Sequence, residues 1–200
     1  MVVSRQSERG HASPLRQRII EAAATIFRDE GYDNLSMRRV AQAAGCSQMA
    51  AYRHFSNKEA LTQHLCAQLY TDFTERVFQR MDPAKDAEAQ LGVFIATLIE
   101  FAVAYPDHYS LIFLVRHTDA EVIAEREQLG EKFLAVIHEL IRKLLPEETP
   151  ASESNIRLRQ VVMCLHGAAA LLIAHPKAYG LTKARAIRET QDSVARILAH

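Results

Sequence analysis

Apolar residues recur every three or four positions through most of this 200-residue chain, which is the spacing of a helix face. No run sustains a two-residue alternation of apolar and polar side chains, so the pattern predicts an all-α fold without a sheet. A first helix is expected over about residues 13–30, with Ser13 as its cap and Pro14 at the first helical position. Leu15, Ile19, Ala22, Ala23, Ile26 and Phe27 form its buried stripe, and Gly31-Tyr32 ends it. Leu61, Leu65, Leu69, Phe73 and Val77 then mark one long helix over about 57–80, opened by the capping box Ser56-x-x-Glu59. Leu91, Phe94, Ile95, Leu98, Phe101 and Ala102 mark another over about 84–105, after Asp82-Pro83. A short helix is expected over 106–117, and a longer one from the capping box Thr118-x-x-Glu121 to about 145. The helix over about 150–174 is apolar nearly all round at its centre, so it is expected to be buried on several sides. A last helix follows Gly180-Leu181-Thr182, with Ala184, Ile187, Val194 and Leu198 on one stripe. With the two short helices described next, the chain holds about nine.

Residues 36–58 organise the first part of the chain. Met37, Val40, Ala41 and Ala44 make a helix face, and Gly45 stops it where a left-handed turn carries no Cβ penalty. Ser47 offers a cap oxygen to a second helix bearing Gln48, Met49, Ala50, Tyr52 and His54, which ends at Phe55-Ser56. Small residues at Ala43, Ala44 and Ala50 let the two helices cross closely. This is a helix-turn-helix, whose second helix is built to enter a DNA major groove. Gln48, at the front of that helix, matches the donor–acceptor pair on adenine, and Met49 and Ala50 suit a thymine methyl. Ser36, capping the first helix, offers its hydroxyl and backbone N–H to a phosphate.

The segment over about residues 18–61 resembles the DNA-binding domain of the TetR family of transcriptional regulators. The matching residues are Ala22-Ala23, Phe27, Gly31-Tyr32, Ser36-Met37, Val40-Ala41, Ala44-Gly45, Ser47, Tyr52, His54-Phe55, Lys58 and Leu61, all in one register. The resemblance implies an N-terminal DNA-binding domain (13–60) and a helical ligand-binding and dimerisation domain (61–200); residues 1–12 ahead of them are polar, with Arg5, Arg9 and His11, and read either as a disordered tail or as a flexible basic arm that touches DNA. It implies that Arg38 sits at a DNA-contacting position and that Tyr52, His54 and Lys58 sit at phosphate-contacting ones. With Ser36, Ser47, Gln48, Met49 and Ala50 these complete the expected DNA-contacting set; Arg39 and Arg53 read as solvated. Tyr52 also has a core reading, whereas Lys58 and Gln48 have none. The helix over 57–80 is the implied lever between the domains. Further on, the sequence resembles the WHG-type C-terminal domain of some TetR proteins, on His166-Gly167, with Met163 read as replacing the tryptophan.

Charge and composition alter this picture little. Formal net charge is zero, yet residues 1–60 carry nine Lys/Arg against six Asp/Glu, and residues 61–200 carry fifteen against eighteen. The modest positive end doubles in a dimer. Three widely spaced cysteines, Cys46, Cys66 and Cys164, fit neither a disulfide framework nor a zinc site, and a redox sensor needs a low-pKa thiolate. Nine histidines include the pairs His117 with Glu121 and His138 with Glu139, but no metal cluster or cofactor motif is expected. The start of the chain lacks a signal-peptide core, and residues 160–176 are too short and polar to span a bilayer, so a cytoplasmic protein with no membrane partner is expected.

Phe94, Leu98, Phe101, Tyr105, Tyr109, Phe113, His117, Met163 and His166 are the expected ligand-binding set, with Phe133 beside them; each also has a plain core reading. Gly167, Ala169 and Ala170 form a small-residue surface which, with Ala184, Ile187, Val194 and Leu198, is the expected homodimer interface. These expectations describe a ligand-responsive regulator, most simply a repressor that a small apolar or aromatic effector releases from a double-stranded DNA operator. The alternative is a constitutive architectural DNA-binding protein whose second domain only dimerises. An enzyme is not expected, because no nucleophile–base order, phosphate loop or carboxylate pair stands out.

Overall fold

The computed structural model describes residues 13–82, 85–114 and 120–199; the basic arm, Pro83, His117 and the Thr118-Asp119 cap lie outside them. Among the described residues the chain is helical throughout, without strands. The helices are α1 (Pro14–Glu30), α2 (Met37–Ala43), α3 (Gln48–His54), α4 (Lys58–Arg80), α5 (Ala87–Ala104), α6 (Pro106–Tyr109), α7 (Ala120–Leu144), α8 (Ala151–Ala174) and α9 (Lys183–Ala199). They fall into two compact units, residues 1–65 and 66–200, and the division between them lies inside α4.

In the first unit, Ser13 caps α1 by accepting the Arg16 N–H, and Pro14 follows at the start of the helix. The core takes Ile19, Ile20, Ala23 and Ile26 from α1, Met37, Val40 and Ala41 from α2, Ala51 from α3, and Leu61 and Leu65 from α4. Gly45 makes the turn between α2 and α3 at φ +66°, a conformation that costs other residues a Cβ clash. Ala51 is wholly buried where α3 crosses α2. The cap of α4 is not Ser56: the Asn57 Oδ1 accepts the Ala60 N–H at 2.7 Å, one residue later than the expected capping box.

The second unit is built around α5, which packs against α6, α7, α8 and α9. Asp86 caps it, accepting the Ala89 N–H at 2.7 Å, so the helix starts three residues later than the 84–105 expectation. Leu91, Phe94, Ile95, Leu98, Ile99, Phe101 and Ala102 are all buried. By length and composition α5 and α8 could each cross a membrane, a property the 160–176 run alone did not reveal. In α5 that apolarity is used in packing, as expected of the central helix of a bundle.

Two expectations change here. The single helix expected over 106–117 is instead α6 followed by a π-helical turn, Ser110–Leu114, which buries Leu111 and Ile112. And α8 is not buried on several sides. Ser154, Val161, Leu165, Ala169 and Leu172 form one buried stripe, while Ile156, Met163, Gly167 and Leu171 stay exposed on the other face.

Candidate DNA-contacting helix and candidate ligand cavity

The outward face of α3 is set by what its inward face must bury. Ala51 and Phe55 point into the core, so Gln48, Met49, Tyr52 and Arg53 are left outside, Met49 at 70% exposure. Ser47 starts the helix by accepting the Ala50 N–H at 3.1 Å. Ser36 does the same for α2, accepting the Arg39 N–H at 3.4 Å. Arg38 is exposed, and Ala50 and His54 are half-buried. Ser36 and Arg38 thus lie at the start of α2, and Ser47, Gln48 and Met49 at the start of α3, with Tyr52 one turn further along α3.

Two basic residues depart from their expected roles. Lys58 was expected to have no packing role, yet it is half-buried. Its ammonium donates to the Tyr32 carbonyl at 3.0 Å and lies 3.9 Å from the centre of the Tyr32 ring. That cation–π contact ties the start of α4 to the turn after α1. Arg39 is not merely solvated: it pairs with Glu30 at 2.6 Å and donates to the Asn34 carbonyl. The guanidinium holds the Glu30 carboxyl below its ordinary pKa, mainly through that hydrogen bond.

The second unit holds a pocket of about 560 Å³ that is open to solvent on one side, within the size range of small-molecule sites. Phe94 and Leu98 of α5, Phe113 of the π-helical turn, His166 of α8 and Phe133 of α7 line it. The wall also takes Cys66, Ala67 and Tyr70 from α4 and Ile123, Glu127, Glu131 and Leu134 from α7. Those α4 and α7 residues were missed because they sit on stripes that read as core or as solvated surface. The aromatic content of α7 at Phe133 was the one signal for that side.

Four members of the expected ligand set lie elsewhere. Phe101 is buried beside Phe73, with ring centres 4.9 Å apart. Tyr105 is partly exposed against Phe101 and Arg76. Met163 is 65% exposed on the outer face of α8. The residue directly ahead of His166-Gly167 is Leu165, which is buried, so Leu165 rather than Met163 holds the place before that pair. Tyr109 is wholly buried behind the wall, where its hydroxyl and the His166 Nδ1 share a hydrogen bond of 2.5 Å. Burial pushes the Tyr109 phenol well up and holds the His166 imidazole below its ordinary value. The pair is a neutral hydrogen bond, and it fixes the imidazole in the cavity wall.

The expected interface residues divide. Gly167 and Ala184 are exposed and Ala170 and Ile187 half-buried. Ala169, Val194 and Leu198 are buried within the protomer, so their side chains pack its own core rather than an outer face. Burial also pushes the Cys164 thiol up, away from the reactive thiolate a redox sensor needs. Cys66 is buried and donates to the Leu111 carbonyl. His138 shares a hydrogen bond with the buried Ser154 at 2.7 Å, and no group of three metal-binding side chains occurs among the described residues.

Comparison with known proteins covers both units. Residues 19–65 match the family model of bacterial regulatory proteins of the tetR family, and residues 93–199 match the tetracyclin repressor-like C-terminal domain. An HTH-type transcriptional regulator of Staphylococcus aureus (strain MRSA252) is 31% identical over 104 residues, which is 52% of this chain and 55% of its own. The chain thus spans about half the length of the curated relatives it matches. Among solved structures, a putative transcriptional regulator from Pseudomonas aeruginosa PAO1 superposes with a TM-score of 0.74 at 16% identity, over 96% of this chain and 93% of its own. The fatty acid degradation regulator FadR from Bacillus halodurans gives 0.70 at 17% identity, over 93% and 97%. At such identities the likeness is one of fold.

Proposed function

The chain belongs to the tetR family of bacterial regulatory proteins, and from that premise we propose that it is a homodimeric transcriptional repressor released from DNA by a small, mainly apolar effector. The family is one of regulators rather than enzymes. The observation that carries the reading is the outward face of α3, where Gln48, Met49 and Tyr52 stand exposed while Ala51 locks the helix to α2. Two copies of α3 in a dimer enter successive major grooves on one side of the duplex, so half-sites lie about one turn, or roughly 34–36 Å, apart.

The effector occupies the cavity of the second unit. The link to DNA runs through α4, which is continuous from Lys58 to Arg80 and whose Cys66, Ala67 and Tyr70 line the cavity. The effector favours a pose of α4 in which the half-site spacing no longer fits. It must bind that pose more tightly than the DNA-bound one, since equal affinity shifts nothing. Supporting a dimer is the exposed α8 ridge of Ile156, Met163, Gly167 and Leu171, which the protomer leaves uncovered.

The test is operator selection from random duplexes, followed by gel shifts against a metabolite library. A two-fold site with one-turn half-site spacing, released by at least one compound, is the expected result. Leu134→Trp narrows the cavity from a partly exposed wall position; it should abolish release while leaving operator affinity near wild type. A protein that binds its operator and is released by nothing is the architectural alternative.

A further inference from the structure

Given the assignment of the second unit's cavity as the effector site, on which this reading rests, we propose that Tyr109 is a positioning residue for that site. From behind the wall it holds His166 as the Nε2–H tautomer. The imidazole then offers the effector one fixed hydrogen-bond donor, and the site selects molecules that carry an acceptor atom there, such as a carbonyl oxygen.

The tautomer follows from the needs of the phenol. Tyr109 is wholly buried, and its hydroxyl has one partner, the His166 Nδ1 at 2.5 Å. A phenol proton buried without an acceptor is costly. If Nδ1 carried the imidazole proton, the Tyr109 proton would have nowhere to go. Tyr109 therefore donates and Nδ1 accepts. Burial pushes the phenol up and holds the imidazole below its ordinary value, so both groups are neutral. A neutral imidazole has a single N–H, and here it stands on Nε2.

His166 lines the cavity, whereas Tyr109 does not. With Nδ1 turned back to Tyr109, Nε2 is the ring nitrogen left for the cavity side, and it has no hydrogen-bond partner among the described residues. The wall around it accepts nothing. The Phe113 ring centre lies 5.0 Å from that of the imidazole, and Phe94, Leu98 and Phe133 complete an apolar body. The Cys66 thiol is turned to the Leu111 carbonyl, and Glu127 and Glu131 stand exposed. A molecule without an acceptor that covers His166 strips water from Nε2–H and returns no hydrogen bond, which is how a fixed donor rejects apolar analogues.

Two measurements on the full chain test this. Proton–nitrogen correlation spectra of isotope-labelled histidines, recorded above the ordinary imidazole value of 6.5, report the tautomer, with His166 assigned by its loss in His166→Phe. The expected spectrum has a bare Nδ1 and a protonated Nε2, and Tyr109→Phe should convert it to a mixture of tautomers. A wild type protonated at Nδ1, or a tautomer unmoved by Tyr109→Phe, overturns the positioning role. Equilibrium dialysis then compares benzophenone with diphenylmethane, which differ by a carbonyl in place of a methylene. Their affinity ratio should fall at least about fivefold in Tyr109→Phe/His166→Phe, which removes both polar partners and keeps both rings. In Tyr109→Phe alone it should fall in proportion to the Nε2–H tautomer lost. Thermal melts check folding, and the single variant carries the test if the double variant does not fold. An unchanged ratio, or one that follows Tyr70→Phe instead, overturns the selection by His166. If Leu134→Trp blocks both probes, the cavity assignment stands whatever the ratio. If neither probe binds the wild type, the selection is overturned, and the metabolite release assay on Leu134→Trp decides the cavity.

Discussion

At the residue scale, exposure separates side chains available to DNA from those already committed to the fold. Gln48 is the first residue of α3 and is exposed. Gln48→Ala should cost about 1–3 kcal/mol on the selected operator and little on random duplex, relaxing the preference at one base pair per half-site. Competition gel shifts against both duplexes measure this; equal loss on the two would make Gln48 a backbone contact. Lys58 is different because its ammonium is held by the Tyr32 carbonyl and ring. Lys58→Ala should lower the stability of the first unit by about 1–2 kcal/mol in thermal melts, and a phosphate role would appear separately as a smaller salt slope of DNA binding. His166 gives a pH signature. Its folded-state pKa lies below its ordinary 6.5, chiefly through burial. The stability it supports is therefore complete above that value and declines as pH falls below it, because the unfolded chain takes up the proton first. His166→Gln should flatten that part of a stability-versus-pH curve, and an unchanged curve would assign the decline to other groups.

At the element scale, short helices depend on their ends. α3 has only seven residues, too few to persist on propensity alone. It is held by the Ser47 cap, the Gly45 turn and the burial of Ala51. Gly45 has φ +66°, and a Cβ built there meets nothing within 4 Å. The cost of Gly45→Ala is therefore conformational rather than steric, about 1–2 kcal/mol. Gly45→Asn should recover part of it, because asparagine tolerates the left-handed region. Melting curves of the two variants decide this; equal destabilisation would mean that crowding, not φ, governs the turn.

For the whole molecule, the uncovered ridge of α8 is the feature a single chain leaves unexplained. Leu171 is 41% and Met163 65% exposed beside Gly167, whose Cβ position is open. A partner packing there would desolvate any charge placed on the ridge. Leu171→Glu and Met163→Glu should therefore convert a dimer to monomers, each weakening association by several kcal/mol. Sedimentation equilibrium measures it, and a dimer unmoved by both would place the interface elsewhere. Ala169→Glu would not serve, because Ala169 is wholly buried in the protomer and the substitution would unfold the unit instead.

The sequence by itself determined what depends on neighbours a few residues apart. Helical period, the Ser13 and Ser47 caps, the Gly45 stop and the compact helix-turn-helix all rest on contacts within a short segment, and so does the resemblance carried by residues 18–61. The stripes of α1, α2 and α5 were legible for the same reason, since one face meets one core. Tertiary structure decided everything that needed two distant segments. The cavity wall joins Tyr70, Phe94, Glu127 and His166 from four helices, and no local pattern distinguishes such residues from core or surface. Lys58 was committed by a carbonyl 26 residues earlier. The apolar circumference of α8 was plain in the sequence, but which half of it the protomer covers depended on how α5, α7 and α9 pack against it.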